Sequence, residues 1–136
     1  MIVYPSKSFQ IELPDNIQED EDGFVSSYWI NGSSLLLQFS SFVRTEGLQI
    51  GARERLRQYT NSNPAKWCGV KEPLCLNGNV DQAAAEHQDN QAFWLHAFLV
   101  WPHLAVHSTI SGPFAEVKAQ HTWARQALKT LSLVIH

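Results

Sequence analysis

The stretch QAFWLHAFLVWPHLAVH, residues 91–107, decides the fold. It mixes aromatic and aliphatic residues with three histidines and a proline. A membrane-spanning helix needs ~20 uninterrupted apolar residues. Here His96 breaks the run, and Pro102 and His103 close it, so no span is expected. Strand periodicity fits better. Trp94, His96, Phe98 and Val100 fall on one face, and Phe93, Leu95, Ala97, Leu99 and Trp101 on the other. Both faces are apolar, the pattern of a central strand covered on both sides. The turn signal HQDN (residues 87–90) precedes it, and LAVHSTI (residues 104–110) reads as its antiparallel return.

Outward from this hairpin, FQIEL (9–13) alternates and stops at Pro14, which predicts a short first strand. The carboxylates Glu19, Asp20, Glu21 and Asp22 read as a flexible polar loop. FVSSYWI (24–30) and SSLLLQFSSFV (33–43) flank Asn31-Gly32, a strong hairpin signal. Leu48, Ala52, Leu56 and Tyr59 then switch to helical spacing, with Arg53, Glu54, Arg55 and Arg57 between them and a stop in TNSNP (60–64). A weak strand is expected over 73–76 and a further one over 80–87. The closing helix opens at Gly112-Pro113 and places Phe114, Val117, His121, Ala124, Leu128 and Leu131 on one stripe. Glu116 near its start and Lys129 near its end suit the helix dipole. The expectation is one α+β domain over residues 1–136. It has a single antiparallel sheet of about six or seven strands flanked by two main helices, one per face. Trp94, Phe98, Leu128 and Leu131 are expected to be buried.

Composition narrows function by exclusion. An apolar fraction of 44% with 17% charged residues argues against disorder. A net charge of −3 supplies no basic field for nucleic acid; Arg53, Arg55 and Arg57 read as a solvated face that with Arg44 makes at most a small basic patch, a poor case for nucleic acid. The opening MIVYPSKSFQ has no basic segment followed by a long apolar core, so no secretory signal is expected. Cys68 and Cys75 suit a reducing compartment, and a cytoplasmic location follows as an expectation. His103 and His107 would lie about 13 Å apart on a strand, too far for one ion. The cysteines lack zinc-site spacing. No metal or cofactor is therefore expected, and the histidines read as half-buried groups bonded to backbone. No nucleophile elbow, phosphate loop or dinucleotide fingerprint occurs, so no enzymatic activity is expected.

The layout resembles the PsbP-like fold. The residues that carry the likeness are FQIELPD (9–15) and FLVWPHLAVHSTISGPFAEVKAQHTWARQALKTL (98–131). The latter is similar to the closing hairpin and helix of small bacterial PsbP-like proteins, including effector-associated chaperones of type VI secretion. Those chaperones usually carry a tryptophan soon after the first-strand proline; LPDNIQEDEDGF (13–24) has none. LLLQFSSFVRTEG (35–47) followed by ARERL (52–56) is more similar to immunity proteins encoded beside bacterial toxins. The resemblance implies a non-catalytic protein-binding domain, monomeric or homodimeric, that neutralises a cognate toxin. An effector chaperone is the alternative, and a small enzyme or ligand-binding protein with a sheet–helix pocket a further one. Glu19, Asp20, Glu21 and Asp22 are the expected steering surface for a basic partner, with Tyr28 and Trp29 as aromatic anchors.

Overall fold

The computed structural model describes residues 1–43, 50–77, 80–115 and 122–134. Among them run β1 (Ile2–Ser6), β2 (Phe9–Glu12), β3 (Ile17–Asp22), β4 (Val25–Ile30) and β5 (Leu36–Val43). Helix α1 (Ala52–Ser62) follows, then β6 (Cys68–Val70), β7 (Asp81–Gln88), β8 (Ala92–Val100) and β9 (Leu104–Pro113). Helix α2 (Thr122–Thr130) and the two-residue β10 (Ser132–Leu133) close the chain. Leu48 and Arg44, and Glu116, Val117 and His121 of the expected helices, lie outside the described residues.

The fold is α+β, with antiparallel strands throughout, but the strands form two sheets rather than one. Seven line up as β3-β4-β5-β9-β8-β7-β6, and β1-β2-β10 form a separate small sheet. The reason lies around Pro14. Leu13 and Met1 exchange backbone hydrogen bonds, closing β2 onto β1, and β10 fills the other side of β2. No edge of β2 is left to join the large sheet. The result is three layers: α1, the seven-stranded sheet, then the small sheet with α2.

Strand β8 sits where its two apolar faces demand. Phe93, Leu95, Ala97, Leu99 and Trp101 join the main core with Phe9, Ile11, Leu128 and Leu131. Phe98 and Val100 join a second cluster with Ala52, packed against Leu56 and Tyr59 of α1. Phe98, Leu128 and Leu131 are buried as expected. Trp94 is only half-buried, because α1 covers the Phe98–Val100 end of the strand and not its start.

Two fasteners hold the periphery. Helix α1 begins at Gly51, which has no side-chain cap of its own. The carboxylate of Asp81 on β7 accepts from the Ala52 N–H instead, at 2.8 Å. This caps the helix and favours its dipole. The expected strand over 73–76 is a loop, and the strand lies earlier, at β6. Gln82 is what holds that loop. Its Oε1 accepts from Leu74 and Cys75 N–H groups, and its Nε2 donates to the Cys75 carbonyl, all at 2.9 Å. Gln82→Ala leaves these backbone groups unsatisfied and is expected to cost about 1–3 kcal/mol in chemical denaturation, far more than an ordinary surface change.

Candidate functional site

The acidic run is a strand, not a loop. β3 pairs with β4 in full register, and the connection is the two-residue turn Gly23-Phe24. Gly23 takes φ of 62° while Phe24 keeps a negative φ, the backbone pattern of a II′ hairpin with glycine first. Pairing in register sorts the carboxylates by face. Glu19 opposes Tyr28 and Glu21 opposes Ser26; Asp20 and Asp22 oppose Ser27 and Val25 on the other side. The run is strand-forming although every residue from Gln18 to Asp22 is exposed, because β3 is the edge of the sheet, where charge is compatible with an exposed ladder.

The two aromatic residues expected as anchors separate as well. Tyr28 is 2% exposed and lies edge-on to Phe39, so it belongs to the core and offers nothing to a partner. Burial pushes its hydroxyl pKa up to about 12, with Glu19 and then Glu21 adding to the rise. Trp29 is half-buried on the opposite face, the one shared with Asp20. What presents itself instead is Phe24, 93% exposed at the hairpin tip. It borders a shallow hollow of about 190 Å³ shared with Pro5, Ser6 and Glu21. The sequence signal for Phe24 is the Asp22-Gly23-Phe24 step between two strands, which a loop reading of the acidic residues hides.

A second constellation was missed altogether. The histidines are not bonded to backbone as a set. His96 Nδ1 and His107 Nε2 are 3.1 Å apart, and His96 Nε2 lies 3.0 Å from the Tyr59 hydroxyl. His107 stacks flat on Phe98, with centroids 4.5 Å apart. Burial drives both imidazoles down to about 4, His96 with a further push from His107. Both are therefore neutral at physiological pH. His103 is exposed and outside β9. Beside this pair, Trp67, His87 and Trp94 line an open cleft with Tyr59, His96 and Asp89.

Among the described residues no group of three or more metal-ligating side chains converges. No helix there is long and apolar enough to cross a membrane. Cys68 is exposed, Cys75 is buried, and both are free thiols. Two of the α1 arginines have local partners. Arg57 pairs with Glu54, and Arg55 lies 4.8 Å above the Phe42 ring.

The three layers define an α+β sandwich with known structural counterparts. LpqN, involved in cell envelope biogenesis of Mycobacterium tuberculosis, is similar with a TM-score of 0.67 at 9% identity, over 93% of this chain and 83% of that one. A protein of Bacteroides thetaiotaomicron VPI-5482 is similar with a TM-score of 0.60 at 17% identity over 94% of this chain. The match covers 46% of that protein, so this chain spans about half its length. At such identities the likeness is one of fold. No family model and no curated protein matches the chain.

Proposed function

We propose that this is a non-catalytic protein-binding domain that acts through its acidic edge hairpin. On this reading it is an immunity protein that neutralises a bacterial toxin in the cytoplasm. The observation that carries the reading is Phe24, 93% exposed at the tip of a hairpin whose outer strand bears Glu19, Asp20, Glu21 and Asp22. A large aromatic side chain held in water by a two-residue turn is an anchor awaiting a pocket. The carboxylates beside it steer a basic surface, such as a cleft built for an anionic substrate. Phe24 takes over the role expected of Tyr28, and Trp29 is a secondary contact on one face.

The test is affinity capture from the native host with the parent protein, Phe24→Ala, and a variant with the four carboxylates changed to Asn and Gln. The captured partner is then produced and its toxicity scored with and without this protein. Phe24→Ala is expected to weaken binding about 30-fold, corresponding to about 2 kcal/mol. The neutralised variant is expected chiefly to slow association and to lose salt dependence. Equal capture by all three folded proteins would overturn the assignment.

One observation favours an effector chaperone as the second reading. Met1, Ile2, Tyr4 and Leu133 leave apolar surface exposed on and beside the small sheet. A chaperone is expected to bind an isolated apolar segment of its client there, whereas an immunity protein is expected to require the client folded.

A further inference from the structure

We propose that the cleft framed by Trp67, His87, Trp94 and His96 is a binding site for an organic ammonium cation, with Asp89 as its counter-charge. The four rings pack against one another and together line one side of an open cleft. Trp67 and His87 centroids are 5.8 Å apart, His87 and Trp94 5.6 Å, and Trp67 and His96 5.4 Å. Strand β8 places Trp94 and His96 as alternate residues on one face. Tyr59 joins from α1, 5.9 Å from Trp67 and 4.3 Å from His96.

The rings are fixed in place. Trp67 Nε1 donates to the Asn63 carbonyl at 2.8 Å, His87 Nδ1 lies 3.2 Å from the Lys66 carbonyl, and His96 is tied to Tyr59 and His107. The space they line with the loop after α1 is about 440 Å³ and opens to solvent. That is ample for a trimethylammonium group and a short polar tail.

Charge selects the ligand class. Asp89 is the one Asp, Glu, Lys or Arg among the described residues lining the cleft. Its Oδ1 accepts from the Gln91 and Ala92 N–H groups at 2.8 Å, which hold the carboxyl below its usual range. No Lys or Arg lines the cleft to favour an anion, and the positive charge His87 can carry lies beside Asp89, where it adds to the lowering of that carboxyl. An ammonium finds aromatic rings and a carboxylate lining the same cleft. The site lies at the β6–β8 end of the large sheet, far from the β3 edge in strand order, so it stands independently of the hairpin reading.

The experiment titrates the intact protein with choline and with its neutral isostere 3,3-dimethyl-1-butanol, followed by tryptophan fluorescence and calorimetry. Choline is expected to saturate and to bind about 3–5-fold more tightly than the isostere, the scale of a cation–π contact at a solvent-exposed site. Asp89→Asn keeps the turn acceptor and removes the charge; it is expected to weaken choline severalfold and leave the isostere unchanged. Trp67→Leu, with fold checked by circular dichroism, is expected to weaken choline about 3–5-fold. Absence of saturation with choline overturns the proposal. So does equal affinity for the isostere, which would mark an unselective apolar cleft, or unchanged choline binding by Asp89→Asn. The parent and Asp89→Asn comparisons decide the matter even if Trp67→Leu does not fold.

Discussion

Leu95→Ala is expected to lower folding stability by about 2–5 kcal/mol, while Trp94→Ala, one residue away and larger, is expected to cost only about 1–2 kcal/mol. The inversion follows from the two faces of β8. Leu95 is 0% exposed in the main core, close-packed between the seven-stranded sheet and the α2 layer. Its removal opens a cavity that neighbouring strands, held by full ladders to β7 and β9, cannot collapse to fill. Trp94 points to the other face, beyond the cover of α1, and rests chiefly on His87 in a stacked pair. Its loss exposes little that was dry. Urea unfolding of both variants at unchanged m-value checks the ranking. Comparable losses would mean that the outer face of β8 is better covered than the position of α1 indicates.

That contrast also marks where the sequence was readable. The opening stretch told its faces apart because strand periodicity and apolar content agree there. Asn31-Gly32 opens the β4–β5 connection, with Gly32 at φ of 87°, but the connection runs over residues 31–35 and the return strand expected from Ser33 begins at Leu36. Ala52, Leu56 and Tyr59 do turn one face of α1 to the sheet. β3 was unreadable for a physical reason. An edge strand exposed on both faces has no apolar alternation, and its pairing is imposed by β4 through the Gly23-Phe24 turn. β10 is two residues long and exists only because β2 offers a partner. The aromatic cleft was hidden because Tyr59, Trp67, His87 and Trp94 come from separate elements. One part was nevertheless inferable. Reading HQDN as a turn fixes a hairpin in which His87 and Trp94 oppose each other, as they do. The burial of Tyr28 was not legible, because its strand neighbours Ser26 and Ser27 are polar and it falls in line with Leu37 and Ile110 only once the strands are registered.

Acidification from pH 7 to pH 5 is expected to cost about 2 kcal/mol of stability through the His96–His107 pair alone. Both imidazoles fall from 6.5 in the unfolded chain to about 4 in the fold, by burial in each case. Between those values the unfolded chain binds protons that the native protein refuses. Stability from this pair is thus full above about pH 6.5 and drains away as pH falls towards 4. The native structure resists protonation chiefly because both rings are buried; at His96 the neighbouring His107, 3.1 Å away, adds a smaller electrostatic push. The groups packed on the pair are Tyr59 from α1, Trp67, and Phe98 from β8, none of which brings a compensating negative charge. The figure is well below the full value of two such shifts, because His107 is not fully enclosed and solvent screens part of the penalty. Urea unfolding at a series of pH values, for the parent and for the double variant His96→Gln, His107→Gln, isolates the contribution. Carboxylates titrate in both proteins and cancel in the difference. The double variant starts less stable at pH 7, having lost the stacked and hydrogen-bonded pair, but is expected to lose less between pH 7 and pH 5. Parallel curves over that window would show that the two histidines are not held neutral by the fold.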